Sequence, residues 1–228
     1  MSLRKWFVVL AMLAGVVGLA LDFSVIAGTM VASPDNPVPR SLLDMLVYYW
    51  TFLTNLSNLA LLLIYVSSLV DWPWLGWFRR PVTRAGMAGI IVLVMGFYHV
   101  MLAPNLPDVP LAIDISNVLL HTVTPLLYLG WWALWSPHGS LRVRDVPWML
   151  VPGLSYVIWV LMRGLFAAEY PYTILDPTFA IPGHGAQGYL GVAIGVPILL
   201  AAVALFDLLL VVIDGLIARR LAASGGSA

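Results

Sequence analysis

The chain has 228 residues, of which 61% are hydrophobic and only 10% are charged, and its formal net charge is zero. Soluble domains carry about a quarter charged residues, so this composition indicates a membrane protein. The balanced charge and the lack of a long basic run argue against nucleic-acid binding. The absence of cysteine excludes disulfides, thiolate metal sites and a cysteine nucleophile.

Six apolar stretches are each long enough to cross a hydrocarbon core of about 30 Å. They cover residues 6–28, 44–70, 85–103, 113–135, 148–168 and 189–217, and segments rich in proline, glycine and charge separate them. The sequence therefore predicts an all-α membrane protein, a six-transmembrane-helix bundle in a single domain over 1–218. A short disordered cytoplasmic tail is expected over 219–228.

The basic residues predict the orientation of this bundle. Nine of the eleven would lie on one side of six spans, namely Arg4, Lys5, Arg79, Arg80, Arg84, Arg142, Arg144, Arg219 and Arg220. Positive charge accumulates on the cytoplasmic side, so both termini are predicted to be cytoplasmic, in a multi-pass protein of the plasma (inner) membrane. A cleaved signal peptide is the alternative for the first stretch, but this stretch is longer than a usual signal core and contains Asp22.

Two of the apolar stretches carry polar residues at helical spacing. In the second stretch these are Thr51, Thr54, Asn55 and Asn58, and in the fourth they are Asp114, Asn117, His121 and Thr124. Residues three or four apart share one face of a helix, and lipid cannot satisfy polar groups, so both faces are predicted to turn inward. Counted from the outer end of each span, Thr54 lies about 15 Å and His121 about 12 Å deep, which predicts that the two side chains meet.

The pair Thr54 and His121 suggests nucleophilic catalysis. A hydroxyl is a weak nucleophile at neutral pH and needs a base to take its proton, and a neutral imidazole suits that task. Asn117 would orient the ring or hold water, and Asn55 and Asn58 would donate hydrogen bonds to a developing oxyanion. Thr51 and His99 are further site-lining candidates. The alternative is that threonine and asparagine on these faces serve only to pack helices together.

The remaining ionisable residues are predicted to be mainly structural. Asp22 and Arg163 lie at similar depth and are candidates for a buried ion pair. Asp207 and Asp214 are expected to meet arginines at the inner rim, and the loop residues His138 and His184 are expected to be solvated. No metal site and no cofactor are predicted, and Lys5 is the only lysine, which excludes a retinal Schiff base within a span.

Three segments resemble a known family. FLTNLSNL at 52–59, LLHTVTPLLYL at 119–129 and SYVIWVLMRGLFAAEYPYTILD at 155–176 are similar to the predicted six-transmembrane family related to the androgen-induced proteins. Animal members of that group are intramembrane threonine hydrolases that cleave fatty acid esters of hydroxy fatty acids. Their threonine follows a Phe-Leu pair, as Thr54 does, and their histidine precedes a Thr-x-x-Pro stretch, as His121 does.

The resemblance implies a membrane hydrolase of lipid esters with Thr54 as nucleophile and His121 as base. Its partner would be a membrane lipid or lipid-ester substrate. This chain departs from the family pattern at Ser57 and Asn58, so its substrate is open, and the resemblance assigns no role to Tyr170, Pro171 and Tyr172. The alternative function is a non-enzymatic carrier or binding protein for a lipid or small molecule.

Overall fold

The structure is a computed structural model that describes residues 2–30, 40–181 and 183–225. Its main helices are α1 Leu3–Thr29, α2 Leu42–Tyr49, α3 Leu53–Leu69, α4 Pro81–Phe97, α5 Leu111–Val118, α6 Thr124–Trp135, α7 Val151–Ala167 and α8 Gly188–Gly225. A π-helical turn, Tyr98–Leu102, continues α4, and a second one, Leu119–Val123, joins α5 to α6.

Short elements fill the connections between the main helices. They comprise the 3-10 or α-helical turns Pro73–Leu75, Gly76–Arg79, Ala103–Asn105, Val143–Asp145, Val146–Met149 and Thr173–Leu175. The segment between α7 and α8 also contains a two-stranded antiparallel hairpin, β1 Ala180–Ile181 and β2 Gly185–Ala186. This segment reaches back over the start of α3, where the hydroxyl of Tyr172 accepts the N–H of Leu53.

Five helical stretches are long and apolar enough to cross a membrane: Leu3–Gly28, Pro81–Asn105, Leu111–Trp135, Val143–Ala167 and Gly188–Ser224. The pair α2 and α3 makes a sixth if it counts as one span, but its two helices meet at an angle of 80°. The chain is therefore an all-α bundle of five or six membrane-length helices, as expected of a multi-pass membrane protein.

Two expectations about the elements are wrong. The predicted continuous helix over 44–70 is broken at residues 50–52. The last helix continues to Gly225, so residues 219–225 are helical, whereas a disordered tail is predicted from 219. Residues 226–228 lie outside the described part of the chain.

The main core lies at the end of α3 that is remote from Thr54. Tyr65, Tyr128 and Trp131 are almost completely buried there, and the rings of Tyr65 and Trp131 meet edge to face with centroids 5.4 Å apart. The guanidinium of Arg84 lies 5.1 Å above the Trp131 ring. Tyr65 is three helical turns beyond Thr54, about 16 Å along the axis. This packed end holds α3, α4 and α6 together and leaves the other end free for a pocket.

Candidate active site

The break between α2 and α3 places Thr54 in the first turn of a helix. Phe52 has an extended backbone (φ −78°, ψ 132°), and α3 begins at Leu53. The break leaves backbone groups without helical partners, and buried backbone groups of this kind need other ones. The hydroxyl of Tyr156 donates to the carbonyl oxygen of Thr51 at 2.9 Å, and the N–H of Leu53 donates to the hydroxyl of Tyr172 at 3.1 Å.

Thr54 and His121 are in contact, as the sequence predicts. The Thr54 Oγ1 and the His121 Nε2 are 3.1 Å apart, and the His121 Nδ1 is 3.1 Å from the backbone oxygen of Asn117. A carbonyl oxygen only accepts hydrogen bonds, so Nδ1 carries the hydrogen in the neutral ring. Nε2 is then an unprotonated acceptor that faces the threonine hydroxyl, which is the arrangement a general base needs.

The π-helical turn Leu119–Val123 carries His121 and is fixed by a contact with α3. The N–H of Thr124 bonds the oxygen of Leu119, and Pro125 has no N–H to offer the oxygen of Leu120. The side-chain amide of Asn58 donates a hydrogen bond to that oxygen at 3.2 Å. Single π turns inside α-helices are frequent at functional sites. The π-helical turn and its hydrogen bond to the Asn58 amide together fix the position of the His121 ring relative to Thr54.

The π-helical turn Tyr98–Leu102 lies against the turn Leu119–Val123. The ring of Tyr98 stacks on the ring of His121 with centroids 4.1 Å apart and an angle of 18° between their planes. His99 Nε2 lies 2.9 Å from the hydroxyl of Thr122. His99 is thus a partner of the residue beside His121, and its own side chain is exposed. Two contacts therefore fix the orientation of the His121 ring: the stacking of Tyr98 on its face and the hydrogen bond of its Nδ1 to the backbone oxygen of Asn117.

The asparagines predicted to stabilise an oxyanion have other partners. The Asn58 amide donates to the oxygen of Thr54 at 2.9 Å as well as to Leu120, and its oxygen accepts from the hydroxyl of Thr124 at 2.5 Å. The Asn55 amide donates to the oxygen of Tyr49 at 3.0 Å. Both side chains are buried and engaged, so the oxyanion role is wrong for them. Their side-chain amides instead bind backbone oxygen atoms, which links neighbouring helical segments.

Thr51 and Asn117 also differ from expectation. The Thr51 hydroxyl donates to the oxygen of Val47 at 2.6 Å within the break, so it is not part of a polar face shared with Thr54. Asn117 orients the histidine ring, as one of its predicted roles requires, but through its backbone oxygen. Asp114 is exposed, and only the later part of the predicted polar face, from His121 to Thr124, is buried against α3.

The predicted ion pair between Asp22 and Arg163 does not form. Arg163 binds Glu169 at 2.7 Å, and Arg40 binds the same carboxylate. Asp22 lies instead beside the side chains of Tyr49 and Asn55. The reason is that Glu169, only six residues after Arg163, lies next to it in the segment that follows α7. The Arg40 hydrogen bond and then that of Arg163 hold the pKa of Glu169 below its usual value.

The two aspartates of α8 do not meet arginines, contrary to prediction. Asp214 accepts hydrogen bonds from the ring of His138 at 3.0 Å and from the backbone N–H groups of Gly139 and Leu141 at 2.9 and 3.0 Å. His138 is therefore a buried anchor of its loop and not a solvated side chain. Asp207 is fully buried against Gly89 and has no hydrogen-bond partner in the described part of the chain.

A pocket opens beside Thr54 and His121. The empty space among its lining atoms is about 830 Å³ when the open solvent at its mouth is included. Thr54, His121, Tyr156 and Tyr172 form its polar end. The rest of the wall is apolar and comes mostly from α4, α7 and α8, with Leu53, Leu102, Leu150, Ile174 and Leu175 completing it. Such a shape suits a molecule with one polar reacting group and a long apolar chain.

Tyr172 is the site residue to which the sequence assigns no role. Its hydroxyl interacts with both the hydroxyl and the backbone N–H of Thr54, in addition to the N–H of Leu53. Burial raises the pKa of the Tyr172 phenol, so the group stays neutral and able to donate at ordinary pH. The only sequence signal was a Tyr-Pro-Tyr element in a loop, which indicates a turn and nothing about a contact with α3.

Among residues 2–30, 40–181 and 183–225, no group of three or more histidine and carboxylate side chains is arranged to hold a metal ion. The polar end of the pocket instead combines a hydroxyl, an oriented imidazole and a phenol. No family model, curated protein or solved structure matches this chain.

Proposed function

We propose that the chain is an intramembrane hydrolase of lipid esters, of the type that joins a fatty acid to a hydroxy fatty acid. The observation that carries the proposal is the 3.1 Å contact between the Thr54 hydroxyl and the unprotonated nitrogen of His121 at the end of an apolar pocket. The resemblance of the segments around both residues to the family of intramembrane threonine hydrolases supports it.

The first half of the reaction forms an acyl-enzyme. His121 Nε2 takes the proton of the Thr54 hydroxyl while Oγ1 attacks the ester carbonyl carbon. The resulting oxyanion lies near the Tyr172 hydroxyl, which donates a hydrogen bond to it. The tetrahedral intermediate then collapses, the alcohol leaves with the proton that His121 returns, and the acyl group stays on Thr54.

Water completes the cycle. His121 takes a proton from a water molecule, and the resulting hydroxide attacks the acyl carbonyl carbon. The tetrahedral intermediate collapses, His121 returns the proton to the leaving Oγ1 of Thr54, and the fatty acid is released. The apolar part of the pocket holds the acyl chain during both steps by van der Waals packing against it. We further propose six spans with both termini cytoplasmic in the plasma membrane, on the strength of the basic residues.

Substitution of the pair tests the proposal. Purified protein with Thr54→Ala or His121→Ala is expected to hydrolyse lipid esters at least about a hundredfold more slowly, because each change removes nucleophile or base. Thr54→Ser keeps the hydroxyl and should retain part of the activity. Thr122→Ala, which removes a hydroxyl next to His121 that contacts His99, is the matched control.

A fluorophosphonate probe separates the enzyme from its rival. Covalent labelling at Thr54 that His121→Ala suppresses favours the hydrolase. The rival is a lipid carrier, which the almost wholly apolar lining of the pocket also suits. Saturable lipid binding with no labelling, together with unchanged turnover in both alanine variants, would support the carrier and refute the hydrolase.

A further inference from the structure

A second hollow, which we call the outer groove, lies between α4 and α8 on the lateral surface of the helix bundle. Its floor and sides include Gly96, Val100, Met101, Ala202 and Phe206. Val100 and Met101 are 72% and 55% exposed, and every side chain that lines the groove is apolar. In a membrane-length helix pair, an exposed surface of this kind faces acyl chains.

The outer groove is separated from the pocket by a single layer of side chains. Leu93, Phe97 and Val203 line both hollows, so each of them has the pocket on one side and the groove on the other. Phe97 also meets Tyr172 edge to face, with ring centroids 6.0 Å apart. The wall between the groove and the polar end of the pocket is thus about one aromatic ring thick.

The groove is open at its centre because of a glycine. A Cβ atom added at Gly96 would have no neighbour within 4 Å, so this position leaves free space in the outer groove one residue before Phe97. Directly after Phe97 the helix changes to the π turn Tyr98–Leu102. The part of α4 that carries the wall residue is therefore next to open space on one side and to an irregular turn on the other.

We propose that the outer groove is the portal through which a long-chain lipid ester passes from the bilayer into the pocket, with Leu93, Phe97 and Val203 as its gate. The inference rests on the proposed function and adds the route by which the substrate reaches the pocket. The occupant is an acyl chain, because the groove is wholly apolar and only the shared side chains of the gate separate it from an apolar pocket. Rotation of the Phe97 side chain would join the two hollows.

Filling the groove tests the portal. Gly96→Phe places a ring in the open space, and Gly215→Phe is the matched control, since a Cβ at Gly215 of α8 also has no neighbour within 4 Å. We measure kcat/KM in lipid nanodiscs for a long-chain ester and for a short, water-soluble ester. The long-to-short ratio is expected to fall roughly tenfold or more in Gly96→Phe, as when size changes in an apolar path, and to stay unchanged in Gly215→Phe. Equal ratios in the two variants overturn the portal.

A binding measurement keeps the portal separate from the chemistry. A photoactivatable long-chain ester in the bilayer should label groove and pocket residues in a Thr54→Ala background, and Gly96→Phe should abolish this labelling. Labelling without any hydrolysis by the wild-type protein keeps the portal and refutes the hydrolase. Hydrolysis without groove labelling refutes the portal alone. If Gly96→Phe does not fold, Ala202→Phe on the opposite side of the groove replaces it.

Discussion

Tyr172 brings the segment after α7 into contact with the first turn of α3. Its hydroxyl accepts the N–H of Leu53 and interacts with the hydroxyl and N–H of Thr54. In the proposed reaction, this neutral phenol beside Thr54 binds the oxygen that becomes negative during attack. In the proposed mechanism His121 is the base, and the hydroxyl of Tyr156 already donates to the carbonyl oxygen of Thr51.

Tyr172→Phe is expected to lower kcat for ester hydrolysis by roughly 10²-fold with a small change in KM, as loss of one oxyanion donor does in other hydrolases. Tyr170→Phe, two residues earlier in the same segment, is the control and should leave kcat near the wild-type value. Both variants should be compared by stopped assays at saturating ester. A kcat for Tyr172→Phe equal to that of the control would show that the phenol has no part in the reaction.

At the scale of single residues, Thr54 and His121 were predictable and Tyr172 was not. A hydroxyl and an imidazole inside apolar stretches are conspicuous, because the membrane offers them no partners. The hydroxyl of Tyr172 reaches Leu53 across 119 positions of the chain, from a loop whose sequence specifies only a turn. Asn55 and Asn58 show the opposite error: their polarity was evident, but it serves the backbone of a broken helix.

Glu169 links the end of α7 to the start of α2. Its carboxylate binds Arg163 at the end of α7 and Arg40 just before α2, and Arg40 also binds Asp44 at 3.1 Å. The first of these contacts fixes the start of the segment that carries Tyr172, and the second ties it to the helix that precedes the break. This small network therefore positions the phenol against α3.

The low pKa of Glu169 predicts how this network responds to acid. A carboxyl whose pKa is lower in the folded than in the unfolded protein stabilises the fold above its ordinary value of 4.5, and that stabilisation is lost as the pH falls below it. Thermal unfolding should therefore occur at lower temperature as the pH is brought below 4.5. Glu169→Gln should be less stable at neutral pH and show a weaker acid dependence.

Asp108→Asn is the control for this experiment, since it removes an exposed carboxylate from the loop between α4 and α5. If the Glu169→Gln and Asp108→Asn proteins lose stability with pH in the same way, Glu169 does not hold the segment in place.

At the scale of elements, the apolar stretches were predictable and their irregular points were not. The break at residues 50–52 contains neither proline nor glycine, and it persists because Tyr156 and Tyr172 satisfy the backbone groups that it frees. Such partners are supplied by tertiary structure and leave no local pattern. Pro125 is the exception, because its missing N–H is visible in the sequence and leaves the oxygen of Leu120 without a backbone donor.

The orientation of the whole molecule remains a prediction from its basic residues. Because the chain contains no cysteine, single cysteines report on it without any background. Asp108→Cys, between α4 and α5, should react with a membrane-impermeant maleimide on intact cells. Ser140→Cys, between α6 and α7, should react only in inverted vesicles. The reverse pattern would place the polar end of the pocket near the cytoplasm.

At the scale of the whole molecule, composition and length were enough to predict the all-α membrane bundle. What they did not contain is the arrangement of α4, α7 and α8 that makes the pocket, because apolar helices of similar hydropathy give no preference for particular neighbours. Asp214 illustrates the difficulty: its charge predicted an arginine partner, whereas the loop after α6 supplies His138 and two backbone N–H groups.

The π turn Leu119–Val123 has a consequence for the spacing of residues along the fourth apolar stretch. A turn of this kind contains one residue more than an α-helical turn would, so it rotates everything beyond it by about 100°. Removing a single amino acid there would swing either the imidazole or the buried rings of Tyr128 and Trp131 out of alignment with α3. Insertions and deletions should therefore be poorly tolerated between His121 and Trp131, although substitutions of one aliphatic residue for another should be accepted.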